Sequence, residues 1–256
     1  MPFEYLRLEA KAGRMSERLM AIVAEGDRGR VYLSPTPKME AIALSAQPHN
    51  VPETDLPAKA LGFRVQEYGM TRWRDLFTPR QLVALTTFSD LVEEARERVK
   101  RDGIAAGSPD DGKPLAADGT GVSAYADAVG VYLAFAVSKA ADRNTSLCVW
   151  EQQMDRLRGT FGRQALPMVW DYVETNPFAG AGGDIYGTAH SLCEVLDKFV
   201  SGIAGCAAQH DAQAADRALD AHQCRPETRP TIRPRRKAAP SASAGWLATA
   251  FSASPA

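Results

Sequence analysis

Long hydrophobic runs are missing from this chain. The longest apolar stretch, around Val129 to Val137, is broken by Gly130 and flanked by Asp127 and Lys139, far short of the roughly 20 residues a membrane-spanning helix needs. No membrane partner is expected. Cysteine is scarce and irregularly spaced, at Cys148, Cys193, Cys206 and Cys224, which fits a reducing cytoplasm better than a disulfide framework. Charge of one sign is also lacking, because 30 basic and 31 acidic side chains leave a net charge of -1, so overall charge names no partner. Residues 1–30 have no continuous apolar centre of the kind a secretory signal carries. The sequence contains no Gly-x-Ser-x-Gly elbow, phosphate loop, His-Glu-x-x-His helix or Asp-x-Asp metal loop. Its histidines, His49, His190, His210 and His222, are scattered and suggest no triad. The expectation is a cytoplasmic chain with no catalytic, cofactor-binding or metal residues of its own.

What is present is the makings of a core: 45% of residues are apolar, the usual supply for one sizeable domain or two small ones. Three regions separate by pattern. In residues 1–55, FEYLRLEA, RLMAIVAEG and the turn-plus-strand GDRGRVYL carry apolar positions near period two, predicting a small antiparallel sheet. A short helix over KMEAIALSAQ follows Pro35 and Pro37. Residues 56–203 read as a helical core. Its clearest helix starts at Thr78 as N-cap with Pro79 at the first helical position, where a missing N–H is harmless, and ends in basic residues near Gly103. AAGSPDDGKPLAADGTG reads as a mobile polar loop. SAYADAVGVYLAFAVSKAADR, apolar on most sides, should be the buried central helix. GTFGRQALPMVWDYVET, bent at Pro167, and DIYGTAHSLCEVLDKFVSGI complete a bundle-like set. Residues 204–256 lose apolar periodicity and read as a disordered tail, with seven basic against four acidic side chains from residue 206 onward, the basic ones concentrated in Arg225 to Lys237. The expected class is α+β, mainly α.

Four constellations could carry chemistry. Asn176 to Gly183, NPFAGAGG, looks like a glycine loop of the kind that holds S-adenosylmethionine in amino-methyltransferases. Such a loop should follow a buried apolar strand, whereas Asp171, Glu174 and Thr175 precede it, so a helix-ending turn with Asp184 capping the next helix is the preferred reading. His190, Cys193, Cys206 and His210 have a spacing open to zinc. Cys193 is nonetheless expected on an apolar helix face as a small hydrophobe, and no metal site is assigned. The row Arg72, Trp73, Arg74, Phe77, Arg80 mixes cations and aromatics and suits DNA or an acidic partner, against a plainer use of Trp73 and Phe77 in stapling the helix start. Arg158, Phe161, Arg163 and Gln164 invite the same two readings. Arg72, Trp73, Arg74, Arg80, Arg158 and Arg163 are therefore the candidate DNA or partner contacts.

Phrases as long as LFTPRQLVALTTFSDLV, together with EYLRLEAKAGRMSERLMAIVAEGDRGRVYLSPTP, YADAVGVYLAFAVSKAADRNTSLCVW and TFGRQALPMVWDYVETNPF, give a resemblance over residues 3–203. The chain resembles the middle of the large bacterial adenine-specific DNA methylases that carry an internal zinc ribbon and a domain of unknown function. The resemblance implies S-adenosylmethionine as the full-length family's cofactor and a catalytic Asp-Pro-Pro-Tyr downstream of this region. Neither that motif nor the family's cofactor loop or ribbon stands in this sequence. Since adenine methylation needs both the cofactor and a polar pocket for the flipped base's amine, the resemblance implies a fragment inactive alone, of a restriction-modification or phage-defence type. Its partners would be DNA or the remaining part of the methylase. The tail beyond 203, where the resemblance stops, reads as an out-of-frame product. The alternative is a stand-alone module binding DNA or a partner.

Overall fold

The computed structural model describes residues 2–154, 156–180 and 182–198, and the backbone of Trp246–Pro255. The fold is α+β and mainly α: helices α1 (Phe3–Lys11), α2 (Pro37–Leu44), α3 (Pro79–Ala105), α4 (Val122–Asp142) and α5 (Ile185–Lys198) accompany strands β1 (Met15–Gly26), β2 (Gly29–Leu33), β3 (Val149–Glu151), β4 (Arg156–Arg158), β5 (Asp171–Thr175) and β6 (Trp246–Pro255).

The predicted hairpin forms, with β1 and β2 antiparallel and Gly26 opposite Gly29. Gly29, at φ +130°, takes a conformation that side-chain-bearing residues avoid. The antiparallel sheet is wider than the N-terminal segment alone, running β2-β1-β6-β5. A register shift between Leu19 and Ala21 puts Leu19 and Ile22, three apart, in one buried cluster with Tyr172, under Met39 and Ala43 of α2. Val23, next in sequence and so on the other face, packs with Val173, Trp150 and Leu157. One face of the sheet is thus covered by α2 and the other by the hairpin β3–β4.

Four expectations are corrected. Residues 3–10 are helix, not strand: Arg7 reaches Glu67 at 2.5 Å and lies 5.8 Å from the centre of the Tyr68 ring, so tertiary contact decides between two periods that a nine-residue amphipathic segment satisfies almost equally. Residues 159–175 are not a bent helix. Leu166 bridges Phe63 in parallel, and the β-prone run Tyr172, Val173, Thr175 forms β5. Helix α4 is not buried all round. Its small residues Ala124, Ala126, Gly130, Ala136 and Ala140 are buried, while Tyr125 and Phe135 are 58% and 56% exposed, because α3 and α5 cover only part of its girth. The tail prediction lies outside the described residues except at Trp246–Pro255, where the backbone is strand β6 between β1 and β5.

The loop 105–121 is tied down at its acidic positions. Asp110 accepts from the Ser123 N–H and Oγ at 3.0 and 2.8 Å, and Asp111 from the Thr120 and Lys113 N–H groups at 2.9 and 3.1 Å. The largest buried cluster among the described residues draws on the connection between α2 and α3: Leu56, Val65 and Leu76 close over Leu147 and Leu166, with Trp73 and Phe77 packed alongside. Helices α3, α4 and α5 pack in succession beside it. No helix of the described residues is long and apolar enough to cross a membrane.

Candidate functional site

Four of the six predicted contact residues make contacts within the protein's own structure. Arg72 and Arg74 both pair with Glu53, Arg72 at 2.6 Å, with Asp55 3.7 Å from Arg72. Arg80 lies inside a network. Its guanidinium meets Glu174 at 2.9 Å, Glu17 at 3.0 Å and the Ala43 carbonyl at 2.8 Å, while the Tyr172 hydroxyl donates to Glu17. Burial works against the Arg80 charge, but hydrogen bonding and charge from Glu174, then Glu17, outweigh it and raise its pKa. Burial, followed by the Glu17 charge, pushes the Tyr172 phenol up. This network fastens the start of α3 to the sheet. Trp73 packs on the core cluster and tilts against Phe161 at 6.4 Å between ring centres, which is the stapling use. Arg163 is exposed, on the turn that follows β4.

Arg158 leads elsewhere. It lines a cavity of about 450 Å³ together with Arg30, Arg143, Arg156, Glu151 and Trp150. Each arginine arrives by a separate local device. Arg30 stands on edge strand β2 with its guanidinium carbon 5.3 Å from the centre of the Trp150 ring, a cation–π contact that orients it. Trp150 is held from behind by Val23 and Val173. Arg143 is the residue that ends α4, its N–H bonded to the Ala140 carbonyl. Arg156 and Arg158, two apart on β4, point to one face. The turn after β4 is closed onto the end of α4 by the Phe161 N–H donating to Asp142 Oδ1 at 2.7 Å and the Thr160 N–H to the Asp142 carbonyl at 2.9 Å, which brings Arg158 to Arg143. Glu151 is matched by Arg156 at 2.8 Å. Among the described residues, Arg143 and Arg158 make no ion pair.

The glycine loop borders the same cavity. Contrary to the sequence expectation, it does follow a buried strand: Tyr172, Val173 and Thr175 of β5 are buried, and α5 begins after Asp184. Asn176 Oδ1 accepts from the Phe178 N–H at 3.0 Å, and Asp184 accepts from the Gly187 N–H at 2.8 Å as the predicted cap. Gly183, at φ +105°, has no room for a side chain, because a Cβ would lie 2.7 Å from Thr175 Oγ1. Gly182 and Thr175 form part of the cavity wall. A methyl on Gly182 would meet Arg143 Nη1 at 3.0 Å.

The arrangement can hold an anion. Guanidinium groups give paired, charge-assisted hydrogen bonds to phosphate oxygens, and a cavity between 300 and 1,000 Å³ is of the usual size for a small-molecule site, by about that range. It suits S-adenosylmethionine poorly, because the sulfonium cation of that cofactor would enter a wall of four arginines and one already paired glutamate. Of the zinc constellation, His190 and Cys193 are exposed on α5, correcting the apolar-face expectation for Cys193; Cys206 and His210 lie outside the described residues. No group of three His, Cys, Asp or Glu able to hold a metal occurs among the described residues. The sequence reading missed Arg30, Arg143 and Arg156. Its one available signal was Arg156-Leu157-Arg158, a strand-spaced cationic pair. No family model, curated protein or solved structure matches the chain.

Proposed function

We propose that this chain is the DNA-contacting portion of an adenine-specific DNA methyltransferase by descent, and that it does not methylate by itself. Residues 3–203 support the descent through their resemblance to that family. The DNA-contacting role rests on a single observation, the convergence of Arg30, Arg143, Arg156 and Arg158 on one cavity opposed only by Glu151 among the described residues. S-adenosylmethionine and the base pocket would belong to the rest of a full-length methylase, and the charge of this cavity argues against the cofactor binding here.

A gel-shift series with the purified chain and a duplex tests the reading. On a duplex carrying 5′-phosphates, binding should weaken by about a hundredfold or more for Arg143→Ala/Arg158→Ala, since each charge-assisted contact is worth roughly 1.5–3 kcal/mol, and should be unchanged for Arg72→Ala/Arg74→Ala, whose guanidiniums pair with Glu53. The reverse pattern would return the contact surface to the Arg72–Trp73–Arg74 row. The alternative, a module that binds a protein partner such as the remaining part of the methylase, draws on an open apolar cleft. Phe88, Leu91 and Val92 of α3, Leu133 of α4 and Ile185 of α5 line about 130 Å³. Failure of both arginine pairs to affect DNA binding, with co-elution of the chain and a separately expressed catalytic portion, would favour it.

A further inference from the structure

We infer that the arginine cavity recognises a terminal, multiply charged phosphate group, as at the end of a nucleic-acid strand or on a free nucleotide, rather than the continuous backbone of a duplex. The inference rests on the DNA-contacting reading and specifies the ligand chemistry of the same site.

Shape carries the argument. A protein that follows duplex backbone sets its cations in a row over an open surface, because the charges it meets are spread along the helix axis, about one every 1.7 Å. Here the guanidiniums come from three separate segments, β2, the end of α4 and β4, and line a single concavity. Arriving from separate segments at one concavity rather than along one element, they suit a compact charge. A terminal phosphate carries close to two negative charges near neutral pH, since its second proton leaves near pH 6; a phosphodiester carries one. Desolvating two guanidiniums that have no ion-pair partner among the described residues, Arg143 and Arg158, is best offset by the ligand with the higher charge on the fewest atoms.

The second support is how the cations are held. Arg30 is fixed over the Trp150 ring, and Trp150 is itself seated on Val23 and Val173. Arg30 therefore competes with any base for the Trp150 ring, which is the one aromatic group among the described residues lining the cavity. Arg156 is tethered by Glu151, and Arg143 lies against Gly182, where a methyl group would meet its Nη1 at 3.0 Å. The site is preorganised for a phosphate group and indifferent to the base attached to it.

Fluorescence anisotropy on the full chain provides the test. The probes are labelled duplexes identical except for a 5′-phosphate or a 5′-hydroxyl, competed with ATP, with adenosine and with inorganic tripolyphosphate. The 5′-phosphate duplex should bind about tenfold tighter than the 5′-hydroxyl form, by the difference of roughly one charge-assisted contact. ATP and tripolyphosphate should compete, and adenosine should not. Arg158→Ala, at an exposed position, should abolish the preference, and Arg143→Lys should retain part of it. ATP competing more strongly than the strand end would identify the free nucleotide as the source. Equal affinity for both duplex ends with no competition by ATP or tripolyphosphate would overturn the inference while leaving duplex binding, and so the DNA-contacting reading, intact. Tripolyphosphate binding, read by calorimetry, in a chain that binds neither duplex would reverse that result, sparing the cavity's specificity and removing the DNA role.

Discussion

Arg80 shows how a residue of ambiguous sequence becomes unambiguous by position. In the sequence it belongs to a cationic row before a helix; in the fold its side chain is 15% exposed between Glu17 and Glu174. Breaking such a pair strands partly buried charge, so Arg80→Ala should destabilise the protein by about 3 kcal/mol. Urea denaturation would read this as a lower midpoint with an unchanged slope, and a shift of a few tenths would place the network on the surface instead. Tyr172, in the same network, has its pKa raised above 10.0 by burial and by the Glu17 charge. The sign follows from linkage: the stability it contributes is present below pH 10.0 and is lost as pH rises past that value, because only the unfolded chain can then ionise it. Of the seven tyrosines, Tyr172 should stay protonated in an alkaline absorbance titration until the protein unfolds. Asp110 behaves oppositely. The Ser123 N–H and hydroxyl hold its carboxylate below 3.8, so its contribution is present above that value and lost as the pH falls through the lower folded one. Asp110→Asn should remove the acid-side change in Ser123 amide exchange.

At the level of elements, what could be read from the sequence is what is decided locally. Thr78 caps α3 by accepting from the Gln81 N–H at 3.2 Å, and the Gln81 side-chain oxygen accepts from the Thr78 N–H at 2.8 Å, with Pro79 at the first position; four consecutive residues suffice. Thr78→Ala should lower stability by about 1–2 kcal/mol, toward the upper end because the hydroxyl also reaches Glu174 at 3.1 Å. A thermal melt would register it. Asp184 as the cap of α5 was legible for the same reason. Helix α1 and strand β5 were not, because in each the deciding contact lies far along the chain: Glu67 and Tyr68 for α1, Phe63 and β6 for the segment ending in β5. Reading 159–175 as helix also hid the strand that precedes the glycine loop. The acidity of Asp171 and Glu174 speaks against burial in the sequence, yet Glu174 is accommodated by Arg80 and by Thr78.

Across the whole molecule, the sheet joins the N-terminal hairpin to β5, and the hairpin β3–β4 covers its second face, so Arg30 from near the start of the chain meets Arg143, Arg156 and Arg158 from its middle. No window of sequence contains that grouping, which is why only Arg158 among the four stands out in the sequence. The aromatic and cationic row before α3, by contrast, was conspicuous in sequence and is spent on packing and internal ion pairs. Linkage of binding to salt separates these two surfaces most directly. The slope of log K against log salt counts the phosphate contacts neutralised, at roughly 0.9 per contact on duplex DNA. On a duplex carrying 5′-phosphates, the account predicts that Arg143→Ala/Arg158→Ala flattens the slope by up to about 2 relative to the unsubstituted chain, with Arg72→Ala/Arg74→Ala parallel to it. A slope left untouched by the cavity substitutions and flattened by the other pair would contradict the central claim that the cavity is where this protein meets phosphate.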